Sequence, residues 1–215
     1  MREALETPRM TGHIGGNQRH ADTGNTMGAK GAEKRQSIIN AANALFYHKG
    51  FAQTSFADIA TEADVPKGNF YFYFRTKEDL LQAVVEDRLA RMVQMMEGWR
   101  GEFNDPRKRL HRIADIPAVD KDDVTRFGCP MGTLSAELGK SDTIDQNFIT
   151  AMFDQILSEA EASLIEMGCA EQDANQLARH LIVRLQGAAN MAHTYGDERW
   201  IEDEIQAVHD WIDGL

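Results

Sequence analysis

Lys67, Gly68, Asn69, Tyr71 and Tyr73 fall within one stretch of seven residues, and their side chains suit recognition of a polyanion. A long cation neutralises phosphate, a phenol donates to a phosphate oxygen, and a carboxamide pairs bidentately with an adenine edge in the major groove. Asn69 is therefore the candidate base reader, with Lys67 beside it at the groove for sequence choice and Tyr71 and Tyr73 as candidate backbone contacts. Gly68 would let the backbone approach closely. Upstream, Thr54 and Ser55 stand where a helix must begin; a hydroxyl there can cap the helix and also meet a phosphate.

Other chemistry is thin. Cys129 precedes Pro130 at a helix start, where a thiol can become oxidisable. The alternative reading is thus a helical thiol enzyme or redox sensor, but no base or second cysteine accompanies it, and an ordinary buried cysteine at a helix entry is the simpler expectation. His111, His180, His193 and His209 lack metal-ligand spacing, and no GxSxG elbow occurs. No metal and no cofactor are expected, and no enzyme activity.

These residues need short helices to present them. Phe56, Ile59, Ala60 and Ala63 recur at helical spacing after Thr54-Ser55. Asp64-Val65-Pro66 breaks that helix and starts another over Lys67 to Tyr73. Phe70 and Phe74 share its inner face and should pack on Phe51, Phe56 and Leu45. Thr76-Lys77-Glu78-Asp79 is a capping box that opens a long helix to Arg100. Its apolar stripe is interrupted only by Arg88.

The segment Thr54, Ile59-Ala60, Ala63, Val65, Lys67-Gly68, Tyr71, Tyr73-Phe74 and Lys77-Glu78-Asp79-Leu80 resembles the TetR family of one-component transcriptional regulators, over roughly Ala32 to Val85. Pro66 and Asn69 depart from the serine or threonine more common there. The resemblance implies a helix-turn-helix, a phosphate contact from Tyr71, a phosphate anchor at Lys77, and a dimer whose last two helices form a four-helix interface. It also implies that the long helix from Lys77 acts as a lever. The segment CPMGTLSAEL, from Cys129, resembles one branch of these regulators.

A formal net charge of -11 would disfavour a nucleic-acid ligand if it were evenly spread. It is not: residues 1 to 79 hold ten Lys/Arg against nine Asp/Glu, so the acidity lies beyond the reading segment. Lys34, Arg35, Lys49, Lys67, Arg75 and Lys77 stay available for phosphates. Two cysteines, no apolar run of about 20 residues and no signal-peptide core predict a soluble, cytoplasmic protein that does not engage a membrane.

Along the chain, residues 1–30 read as a disordered extension, with Met27 a second candidate start of translation. Residues 31–76 read as the helix-turn-helix domain, its first helix running from Ala32 to His48 and ending at Gly50. Residues 77–215 read as a helical bundle for ligand binding and dimerisation, with an acidic loop from Pro117 to Arg126 and a helix capped by Asp142. The fold class is all-α, with about nine helices. Apolarity and position single out Met92, Met96, Trp99, Phe127, Met131, Phe148, Met152 and Met191 as effector-pocket candidates, core filling being the alternative. Leu181, Leu185, Ala188, Ala189, Ala192, Ile201, Ile205, Val208, Trp211 and Ile212 form a stripe that suits a twofold copy or packing within the protomer. The expected function is that of a homodimeric repressor, released from palindromic double-stranded operator DNA by a small-molecule effector.

Overall fold

A computed structural model describes residues 24–140 and 146–215. Residues 1–23 of the expected extension, and Asp142 as a cap, lie outside the described residues. Every element described is a helix: α1 (Gly24–His48), α2 (Phe56–Glu62), α3 (Lys67–Tyr73), α4 (Lys77–Glu102), α5 (Pro106–Ala114), α6 (Ile116–Val119), α7 (Lys121–Phe127), α8 (Pro130–Leu138), α9 (Gln146–Glu166), α10 (Glu171–Tyr195) and α11 (Arg199–Asp213).

Two boundaries differ from those read in the sequence. Helix α1 begins at Gly24, so residues 24–30 are helical rather than part of a disordered arm. Once the core-facing turns around Ile38 and Ala42 are fixed, propagation through Ala29 to Ala32 adds one hydrogen bond per residue and no new nucleus is needed. The acidic loop is instead α6 and α7, which raises the described helices from about nine to eleven. Pro117 sits in the first turn of α6, and Asp122 and Asp123 in that of α7, where the helix dipole favours them. Val124 holds α7 down at 5% exposure.

Helices α1 to α3 form a small unit around Ile38, Ala42, Phe46, Ile59 and Phe70. Full burial of an isoleucine or phenylalanine side chain stabilises by roughly 1.5–3 kcal/mol. Helix α4 leaves this unit, packs along α1 and continues into the bundle against α5 and α9. Its capping box forms as read: the Thr76 hydroxyl accepts from the Asp79 amide (3.0 Å) and the Asp79 carboxylate accepts from the Thr76 amide (3.1 Å). Helices α9, α10 and α11 pack in sequence, and α5 closes against α9 and α11.

An ion cluster also pins α5 to α9. Arg109 and Glu159 are 4% and 2% exposed; Glu159 pairs with Arg100 at 2.6 Å and faces Arg109 at 3.8 Å, while Arg109 also meets Glu166. The stripe on α10 and α11 is intramolecular. Leu181, Leu185, Ala188, Ala189, Ala192, Ile201, Val208 and Ile212 are all buried within the protomer.

Candidate functional site

The turn between α2 and α3 sets the angle of the reading helix. Ala63 closes α2, Asp64 takes a positive φ of 51°, and Val65, 5% exposed, returns its amide to the Ala60 carbonyl at 3.0 Å. Asp64 is a residue type that tolerates the left-handed region. Pro66 is the N-cap of α3, and the Asn69 amide donates back to its carbonyl at 2.8 Å. Phe70 is 1% and Phe74 3% exposed, and the Phe70 ring lies 4.7 Å from that of Phe56.

With those rings inward, the opposite face of α3 must point out. Gly68 and Asn69 are exposed, and Tyr71 is 61% exposed. Lys67 opens the helix. Tyr73 is half-buried against the core, its ring 5.3 Å from that of Phe72. Phe72 was not singled out in the sequence, yet it is 85% exposed at the end of α3. Its place between two inward phenylalanines on a short helix is the signal that would have found it.

Two candidate DNA contacts are turned to other work. Thr54 is 2% exposed; its hydroxyl donates to the Gly50 carbonyl at 2.7 Å and faces the Leu45 carbonyl at 3.3 Å. It ties the end of α1 to the start of α2 and does not cap. The N-cap is Ser55, exposed, in a box with Asp58: the Ser55 hydroxyl accepts from the Asp58 amide (3.2 Å), and the Asp58 carboxylate accepts from the Ser55 amide (2.9 Å). Lys77 is half-buried and its ammonium is occupied. It donates to the carbonyls of Phe51 (2.9 Å), Thr54 (3.3 Å) and Ala52 (3.4 Å), and lies 4.4 Å from the centre of the Phe51 ring. An ammonium has three protons, so a phosphate would have to displace these partners.

The same turn is held from the bundle side. The Glu137 carboxylate, near the end of α8, accepts from the amides of Phe51 (2.9 Å) and Ala52 (2.6 Å). Gly50 lies beside this carboxylate at φ 91°, a backbone conformation that other residues rarely adopt.

The other end of α8 borders a cavity of about 710 Å3, within the range of small-molecule sites. Met92 and Trp99 of α4, Ile113 and Ile116 of α5 and α6, Met131 of α8, Met152 and Ile156 of α9, and Leu185 of α10 make it largely apolar. Of the sequence candidates, Met92, Trp99, Met131 and Met152 line it. Met96, 2% exposed, is core, and Phe148 packs on that core. Phe127 lies behind the wall, its ring edge-on to Tyr47 and tilted to His48 (centroids 5.7 and 4.7 Å), and Met191 is not in the wall. Apolarity alone does not give the phase of a helix.

Polar groups that the sequence did not assign to a pocket converge there. Arg88 donates from Nε to Asn43 Oδ1 (2.5 Å) and from Nη1 to the Pro130 carbonyl (3.0 Å). Burial lowers its pKa, opposed by Cys129 and Tyr47. Tyr47 donates to the Gly128 carbonyl at 2.8 Å, and burial, helped by Asp123, pushes its phenol above the usual range. The Cys129 sulfur accepts from Gln186 Nε2 at 3.3 Å, and both cysteines are free. Among the described residues no cluster of three or more metal-ligating side chains occurs, and no helix is long and apolar enough to cross a membrane.

Comparison with known proteins bears on what this pairing of an outward short helix and a cavity-bearing bundle is. Residues 38–84 match the family model "Bacterial regulatory proteins, tetR family", and residues 110–206 match "Transcriptional regulator LmrA/YxaF-like, C-terminal domain". The chain belongs to the TetR family. TetR regulators are DNA-binding transcription regulators rather than enzymes, which removes the thiol-enzyme alternative. Among similar TetR-like proteins, an uncharacterised HTH-type regulator of Lactococcus lactis is 26% identical over 161 residues, 72% of this chain and 80% of its own length. The repressor DhaR of Mycobacterium sp. strain GP1 is 25% identical over 159 residues, 72% of this chain and 79% of its own. The crystal structure of a TetR regulator from Legionella pneumophila superposes with a TM-score of 0.72 at 20% identity, covering 92% of this chain and 98% of that one.

Proposed function

We propose that this TetR-family chain is a ligand-responsive repressor in which residues 31–76 read a twofold operator and residues 77–215 bind the effector and pair two protomers. The observation that carries the reading is the outward row Gly68, Asn69 and Tyr71 on α3, joined to an apolar cavity by α4 and α8. The family relation to DhaR, described as a repressor, favours repression. Asn69 is assigned to a base edge, Tyr71 to a phosphate, and Lys67, Ser55 and Tyr73 to the flanking backbone. Thr54 and Lys77 act by seating α2.

Two routes connect cavity and head. Helix α4 carries Met92 and Trp99 in the cavity wall and Lys77 under the 51–54 turn. Helix α8 carries Met131 at the cavity and Glu137 on the same turn. An occupant that prefers displaced positions of these helices shifts the two heads away from operator spacing; a tenfold loss of DNA affinity needs about 1.4 kcal/mol of differential binding.

Footprinting across a salt series tests the reading. Wild type should protect two half-sites about one helical turn or a multiple apart, with affinity falling as salt rises. Asn69→Ala should cost about 1–3 kcal/mol and relax preference at one base position, whereas Tyr71→Phe should weaken all sequences alike. Intact preference in the Asn69 variant would remove that residue as the reader.

A further inference from the structure

Resting on the reading of the cavity as the effector site, we infer that its ligand is an organic acid: an apolar body whose carboxylate pairs with Arg88. The other arginines lining the cavity each have an acidic partner: Arg91 with Asp87 (2.8 Å) and Arg112 with Asp115 (3.7 Å). Arg88 has none within ion-pair distance among the described residues. Its guanidinium is satisfied only by two neutral oxygens, those of Asn43 and Pro130, and Nη2 donates to no described group.

That arrangement carries some cost without a ligand. A guanidinium stays charged, and Arg88, only partly exposed, gives up part of its water without gaining a counter-charge. The cation also interrupts an apolar helix face in the midst of Met92, Trp99 and Met131, where an alkyl side chain would pack at no such cost. Asn43 and the Pro130 carbonyl fix the plane of the fork, leaving the Nη edge to grip a carboxylate. Asp120 and Asp123 border the cavity from α7 and its cap, so a cationic tail, not an anionic one, would be tolerated at that rim. The apolar wall accommodates a drug-sized hydrocarbon or aryl body.

Calorimetric titration of the full chain with dodecanoate and with biphenyl-4-carboxylate, each against its primary alcohol, tests the assignment. The expectation is that at least one acid binds tenfold or more tightly than its alcohol, equivalent to about 1.4 kcal/mol, and that Arg88→Met abolishes this preference while the alcohol still binds. Equal binding of acid and alcohol, failure of both acids to bind, or an unchanged preference in the variant would overturn it. If Arg88→Met does not fold, the wild-type acid and alcohol pair decides alone. The outcome is separable from the regulator reading: wild type that footprints an operator but ignores the acid charge sinks the ligand class only, whereas acid preference without any footprint sinks the regulator reading.

Discussion

Gly68 lies in regular helix, and a Cβ added there would meet nothing within 4 Å. The protomer therefore gains nothing from a glycine that costs about 1 kcal/mol against alanine in a helix. The space it leaves is outside the protein, beside Asn69 and Tyr71, where a nucleic-acid backbone would come close. Gly68→Ala should raise the urea midpoint, by about 0.5–1 kcal/mol in stability, and at the same time weaken operator binding about tenfold. A variant that is stabilised and binds as before would mean that the backbone of α3 stays clear of DNA. Separating the two readouts matters because most substitutions on a short helix lower both.

At the scale of elements, the seat of α2 should respond to acid. Hydrogen bonds from Lys49 (2.7 Å) and from the Ser55 amide and hydroxyl hold the Asp58 carboxyl well below its ordinary value of 3.8. A depressed folded-state pKa contributes stability that is present above the unfolded value and lost as pH falls towards the folded one. Asp58→Asn should thus be less stable than wild type at neutral pH, with the gap constant down to about pH 4 and closing below it; urea titrations at stepped pH read this. A gap unchanged at pH 2 would mean that the charge plays no part. The Thr76–Asp79 capping box, the Pro66 break and the inward Phe70 and Phe74 were legible in the sequence, because each depends on neighbours within one or two turns; the Ser55–Asp58 box was legible only as a choice of cap between Thr54 and Ser55. Thr54, Lys77 and Arg88 were not. Their partners lie up to 45 residues away in sequence, and only packing decides which of a side chain's plausible partners it meets. Helices α6 and α7 fell between: the acidic first turn of α7 was visible, but an isolated short helix is marginal until Val124 and its neighbours find the bundle.

On the scale of the whole molecule, what remains outside the protomer core is the surface we propose for a second copy. Val183, at 70% exposure, Gly187 and Tyr195, at 65%, share a ridge of α10, and Trp200 of α11, at 43%, stacks on Tyr195 at 5.4 Å. TetR-family regulators form dimers, and this ridge is the apolar surface that α10 and α11 leave uncovered. Val183→Asp should give a folded monomer by sedimentation, and its operator affinity should fall because half-site pairing is lost. A dimer that persists would place the twofold contact elsewhere. The peptide units at Phe51 and Ala52 extend this argument to engineering. Their amides are gripped by Glu137 and their carbonyls by Lys77, so two residues beyond residue 76 form a socket for the turn that joins α1 to α2. A hybrid regulator made by transplanting another family member's head onto this bundle would inherit both halves of that socket, and would transmit its signal only if the donor loop brings a glycine where Gly50 stands.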